Sequence, residues 1–187
     1  YTSQYTLSLH DALPILPFIA DPKKSLFRIN RDIRFSKNKE PYKTNIGLFF
    51  PFSLEHTGKK PINVLGMYMH LSPEGNFVGG GIHTPPSDIM QQIREKLAED
   101  WKELEALYED ENFKKEFPRR RNDEKLKRMP AGFNKDHPAS EYLRMKSFLV
   151  SSSFSFEIAN TSELKKFLVH KAKALQPFLE FFDDAIN

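Results

Sequence analysis

Residues 64–83 read VLGMYMHLSPEGNFVGGGIH, two apolar runs set either side of Ser72-Pro73-Glu74-Gly75. Proline fixes one turn dihedral and glycine reaches the left-handed region without strain, so Val64–Leu71 and Asn76–His83 are predicted to pair as a β-hairpin. Two more segments extend the pattern. Asn45–Phe52 is apolar and carries Pro51 near its end. Leu26–Phe35, LFRINRDIRF, alternates, with Phe27, Ile29, Ile33 and Phe35 on one side and Arg28, Asn30, Asp32 and Arg34 on the other. That period of two predicts a strand, with Arg31 as the one charge on its apolar side. Phe148–Ile158 alternates again, with Phe148, Val150, Phe154, Phe156 and Ile158 inward and serines outward. These segments predict an antiparallel, or mixed, sheet of about five strands.

Between and after these strands the period becomes helical. Following Pro85-Pro86, Ser87 is placed to cap a helix whose Ile89, Ile93, Leu97, Trp101, Leu104 and Tyr108 recur at three and four residues, a stripe that marks a buried face. Asn112–Met129, interrupted by Pro118, reads as a short helix plus a solvated loop. Asn160 with Glu163 three residues on is a capping signature. The helix after it presents Leu164, Phe167, Leu168, Leu175, Phe178, Leu179 and Phe182, with a kink or break expected near Pro177. Strands, helix, strand, helix is the order of an α+β domain with two or three helices on one sheet.

The 187 residues suit one domain, and a composition of 39% hydrophobic and 28% charged residues excludes a wholly disordered chain. No cysteine is present, which excludes disulfides, thiolate metal sites and a cysteine nucleophile. Tyr1–Ile15, YTSQYTLSLHDALPI, contains no lysine or arginine, and His10, Asp11 and Pro14 interrupt its apolar residues, so it does not read as a secretory signal. Its TLSLHDALPI run resembles translated sequencing-adapter read-through. Residues 1–15 are therefore expected to be a non-native segment on a metagenomic fragment, with a single domain over 16–187. No run of about 18 apolar residues suggests a membrane span, and a cytoplasmic location is expected.

The net charge of +3 hides a strong segregation. Lys23–Lys43 carries eight basic residues against Asp32 and Glu40, and Lys114–Arg128 carries eight against three, whereas Glu95–Glu111 holds eight acidic residues and two lysines. On a strand, Arg28, Asn30, Asp32 and Arg34 would share one face, about 7 Å between successive members. Two guanidiniums flanking a carboxylate form either a self-satisfied ion-pair network or an anion cradle oriented by Asp32, and a solvated edge is the third reading. Lys37, Lys39, Tyr42 and Lys43 follow closely enough to add donors to a phosphate or carboxylate.

The block FRINRDIRFSKNKEPYKTNIG at 27–47 closely resembles the FRInRDiRFSkdKxPYKT signature of a bacterial and fungal family called domain of unknown function 2461. The resemblance continues in YMHLSPEGNFVGGGIHTPP at 68–86, in Ile93-Arg94 and in KRMPAGFNKDHPASEYLRMKSF at 127–148. It implies a shared fold and a set of recurring residues, among them Arg94 and Lys146, with no assigned activity, substrate or cofactor. Members of the family carry further helical residues with a WF pair ahead of the first block. That part is absent here, so the domain is expected to lack its N-terminal helical part.

The leading expectation is a domain binding a phosphate- or carboxylate-bearing small molecule in a basic pocket, built from Arg28, Arg31, Arg34, Lys37, Lys39 and Lys43, with Asn30, Asp32 and Tyr42 orienting and Arg94 and Lys146 reaching in. One alternative is a hydrolase or transferase using Asp32 or His137; Asp136-His137-Pro138 also reads simply as a helix start. Another is a nucleic-acid-associated module using FKKEFPRRRNDEKLKR at 113–128. No cofactor is predicted, and His56, His70, His83 and His137 lack metal-ligand spacing. Oligomeric state is open. Gly79-Gly80-Gly81 lacks the lysine of a phosphate loop and reads as a place where another element approaches closely. Opposite Met67, Tyr68 and Met69 it also allows an open groove beside the sheet.

Overall fold

The computed structural model describes residues 18, 22–34, 37, 39–52, 64–121 and 125–186. After a single turn of helix, α1 (Pro22–Ser25), the sheet begins with β1 (Ile46–Pro51) and the hairpin β2 (Leu65–Leu71) and β3 (Asn76–Ile82). Helices α2 (Ser87–Glu109) and α3 (Glu111–Glu116) lead to a short strand β4 (Arg119–Arg121). The chain then passes through α4 (Ser140–Leu143), β5 (Phe148–Phe154) and α5 (Phe156–Ala159) to the long α6 (Glu163–Ile186). The five strands form one antiparallel sheet in the order β1-β2-β3-β5-β4, an α+β fold as the sequence predicts.

Strand alternation sends every second residue to one side, where α2 and α6 pack. Met67 and Met69 of β2, Val78 and Ile82 of β3, and Phe148 and Val150 of β5 are buried there, against Ile93, Leu97 and Leu104 of α2 and Leu175, Phe178, Leu179 and Phe182 of α6. Rings interlock at right angles, Phe178 on Phe182 with centroids 5.1 Å apart and Phe181 on Phe182 at 5.2 Å. A Cβ on Gly80 would collide with Leu175 and lie 2.6 Å from the Gly66 carbonyl oxygen. The bare glycine is thus what lets α6 come down onto β3, the close approach read from the triplet.

Several local expectations are corrected. The described part of Leu26–Phe35, residues 26–34, does not form a strand. Among the described residues its ladder contacts are single bridges, Leu26 to Leu48 and Asn30 to Tyr42, because the chain folds back on its own residues 41–43, Arg31 N–H donating to Pro41 and Lys43 N–H to Ile29. No buried layer covers it among the described residues, so its apolar side is largely exposed, Phe27 at 50% beside the Tyr68 ring and Ile29 at 52%, with Ile33 half-buried; Phe35 lies outside the described residues. β5 ends at Phe154, and Phe156, assigned inward, stands 66% exposed in α5. Ser152, assigned outward, is buried. Residues 119–121, read as loop, are an edge strand.

Helix boundaries also differ in their chemistry. The N-cap of α2 is Pro86 and no side chain caps it, Ser87 being the first helical residue. At α6 it is the Thr161 hydroxyl, not Asn160, that accepts the Glu163 N–H, at 3.3 Å. Asn160 instead ends α5. Helix α6 runs unbroken through Pro177, whereas α2 bends at Asp100, whose φ of −112° and ψ of 23° leave the helical range.

Candidate functional site

The opposite side of the sheet carries neither of the long helices, and only the single turn α1 borders it, through Lys24 and Ser25. Two rows of side chains cross it, set by the register. One runs Phe49, Tyr68, Gly79, Ser151, Arg119, and the next Pro51, Gly66, Gly81, Leu149, Arg121. Each row is high at its ends and bare in the middle, and the result is a groove of about 1300 Å³ lined by these residues together with Lys24, Phe27, Phe77 and His83. This is the open groove that the glycines opposite Tyr68 suggest.

One wall is aromatic. Tyr68 lies 5.9 Å from Phe27 and 5.7 Å from Phe77, and His70 stacks on Phe77 with centroids 4.9 Å apart at 15°. The Tyr68 hydroxyl is 3.2 Å from His70 Nδ1, and Asn45 Nδ2 stands 3.5 Å from the same nitrogen. Gly47 makes this possible, since a Cβ there would sit 2.6 Å from the Tyr68 oxygen. Burial raises the Tyr68 phenol above its ordinary value, so it stays protonated and able to donate at neutral pH.

The other wall is cationic. Arg119 and Arg121 alternate with Arg120 along β4, and the middle arginine goes to the helical side. There its Nη2 donates to the Tyr108 carbonyl at 2.9 Å and to Glu109 at 3.1 Å, and its guanidinium lies 4.1 Å over the Tyr108 ring. A cation at the end of α2 also suits the helix dipole, so Arg120 ties β4 to the helical layer. Arg119 is exposed and has no carboxylate partner among the described residues.

None of the eleven ligand-binding residues expected from the sequence lines this groove. Nine lie on the folded-back arm at 28–43. Asp32 accepts from Arg34 Nε at 2.9 Å and Nη2 at 2.6 Å, and the Arg34 side-chain hydrogen bond holds its carboxyl below the usual range, with Arg28 acting only through its charge. Arg31 faces Glu40 at 3.8 Å, Lys39 Nζ donates to the Ile33 carbonyl at 2.9 Å, and Asn30 bridges to Tyr42. Arg28, Lys37, Tyr42 and Lys43 are exposed. Arg94 is half-buried on α2, where burial lowers its pKa and Nε donates to the Leu143 carbonyl at 2.9 Å. Lys146 is exposed ahead of β5. His137 accepts the Ala139 N–H on Nδ1 at 3.1 Å, a bond that shapes the entry to α4, and Pro138 stands before the first helical residue. His56 lies outside the described residues.

The sequence places Arg119 and Arg121 only within the basic segment 113–128 of the nucleic-acid reading, and not on a strand beside the groove. Three consecutive arginines give no alternation of polarity to read, and only the pairing with β5 sorts them between two faces. Sequence reasoning missed Lys171, buried on α6, whose Nζ reaches the Glu116 carbonyl at 2.6 Å, the Glu116 carboxylate at 2.8 Å and Ser152 Oγ at 3.1 Å. These bonds account for its three protons, and Ser152 is the serine on the apolar side of β5. Burial alone would raise the Glu116 pKa, but the hydrogen bonds from Lys171 and His170 outweigh it and leave the carboxyl below its ordinary value.

The family model described as conserved hypothetical protein (DUF2461) matches residues 4–181, a span that takes in most of residues 1–15. No curated protein and no solved structure matches the chain. No helix among the described residues is long and apolar enough to cross a membrane.

Proposed function

Because the chain belongs to this family of conserved hypothetical proteins, whose description names no reaction, its function must be argued from its own surface, and we propose that it binds a phosphate- or carboxylate-bearing small molecule in the groove on the open face of the sheet. The observation that carries this reading is the register that sets Arg119 and Arg121 side by side above a floor of glycines. Arginine supplies planar paired donors that fit either oxyanion, and a floor without side chains leaves depth for the ligand body. Lys24 and His83 line the same groove and add polar groups at its rim.

The basic arm at 28–43 is the competing location for the anion. Its Asp32 and Arg34 satisfy one another, and none of its basic residues lines the groove, which favours the groove as the place where a ligand body is enclosed. A hydrolase or transferase reading through Asp32 or His137 needs either group beside a cavity, and neither lines the groove. A nucleic-acid module would draw on the same arginines of β4, but would show affinity falling steeply with salt over a long polyanion.

Titration calorimetry with ribose 5-phosphate and inorganic pyrophosphate tests the proposal. Saturable binding is expected, weakened about tenfold or more by Arg119→Ala, the scale of one lost charge-assisted interaction. Binding that survives Arg119→Ala together with Arg121→Ala would place the anion elsewhere.

A further inference from the structure

The groove is chemically unequal at its two ends, and this restricts the ligand beyond its charge. In the row Tyr68, Gly79, Ser151, Arg119, the aromatic and the guanidinium stand three strands apart, about 14 Å between backbones, and lean over two residues that leave the floor nearly bare. An inorganic anion fills one end only. The aromatic end is built in its own right, with Tyr68 held by Phe27, Phe77 and His70 and its hydroxyl seated above Gly47. A ring laid there gains offset stacking beyond its buried area. The Ser151 hydroxyl and His83 offer hydrogen bonds between the two ends, where a polar linker would pass.

We propose that the ligand is of the nucleoside monophosphate class, with its base against Tyr68 and Phe77 and its phosphate at Arg119. This rests on the anion reading above and adds the ring. Complementarity decides between occupants. A second copy of the chain or a peptide strand would not match a groove bounded by aromatics at one end and arginines at the other, whereas a base joined to a phosphate meets both ends.

Calorimetry on the full chain with adenosine 5′-monophosphate, ribose 5-phosphate and adenosine separates the two halves. The monophosphate is expected to bind at least tenfold tighter than either fragment. Tyr68→Leu should weaken the monophosphate about fivefold and leave ribose 5-phosphate unchanged, while Arg119→Ala weakens both. Tyr68→Phe keeps the ring and should bind the monophosphate within about twofold of the parent, which covers the case in which the leucine variant fails to fold. In the bound state the base protons should shift upfield in the NMR spectrum and lose that shift in Tyr68→Leu. Ribose 5-phosphate binding as tightly as the monophosphate, with no effect of Tyr68→Leu, overturns the ring and leaves the anion site standing. Adenosine binding without either phosphorylated probe overturns the anion site. No binding by any of the three overturns both.

Discussion

The two faces of one sheet are built from alternate residues of the same strands, yet they obey different rules. On the helical face β3 offers Val78, Gly80 and Ile82, each filled against by α2 or α6, and the glycine is there because Leu175 needs its space. On the open face the same strand offers Phe77, Gly79 and Gly81, and the glycines floor a groove. One face is spent on stability, where volume and buried partners decide. The other keeps half-exposed rings and charged ends that a core would not tolerate. Substitutions should therefore separate cleanly, with large changes in stability from one face and changes in binding from the other.

The largest effect is expected from Phe178→Ala. That ring is fully buried and packs on Tyr108, Phe113 and Phe182, so its loss should cost about 3–5 kcal/mol in urea denaturation. Next comes Lys171→Met, which leaves the Glu116 carboxylate without its main partner. We expect a loss of about 3 kcal/mol, with the partial exposure of Glu116 keeping it at the low end of buried-pair values. Glu116 gives this pair a pH signature. Its folded pKa lies below the unfolded one, so its contribution is fully present above the ordinary carboxylate range and is lost as pH falls through the lower folded value. Melting followed from pH 6 to 3 should show a steeper acid loss in the parent than in Lys171→Met. Equal slopes would mean that the pair does not stabilise the fold.

Gly80→Val tests the close approach itself and should destabilise by about 1–3 kcal/mol or more, because the new side chain meets the backbone oxygen of Gly66 as well as the mobile end of Leu175. Smaller stability changes are expected at the open rim and on the arm. Arg119→Ala should stay within about 0.5 kcal/mol of the parent while weakening anion binding. On the arm, Asp32→Asn removes only an exposed pair and should leave melting unchanged.

How much of this was legible depends on where periodicity meets a buried layer. The hairpin at 64–83 and the apolar stripe of α6 were readable because one side of each is covered, and coverage is what imposes a period. Leu26–Phe35 alternates as well as any strand in the chain, but among the described residues no buried layer covers Phe27 or Ile29, Phe27 lying half-exposed beside the Tyr68 ring, so alternation alone misled. Charge density points to a different part of the molecule from the groove. The arm has the highest local charge, but much of it is answered by Asp32, Glu40 and backbone carbonyls on the arm itself. Arg119 and Arg121 gain their place from pairing with β5, a partner some thirty residues later in the chain that no local pattern in 113–128 announces. The groove floor was visible in the glycine triplet; its walls required the register.

The most direct test of the account sets the two basic regions against one another. Ribose 5-phosphate binding is measured by calorimetry at one salt concentration for the parent, for Arg119→Ala with Arg121→Ala, and for Arg28→Ala with Arg34→Ala. The account predicts that the β4 pair abolishes binding and that the arm pair leaves it within about twofold of the parent. Loss of binding in the arm pair, with the β4 pair unaffected, would contradict it and move the site to the arm.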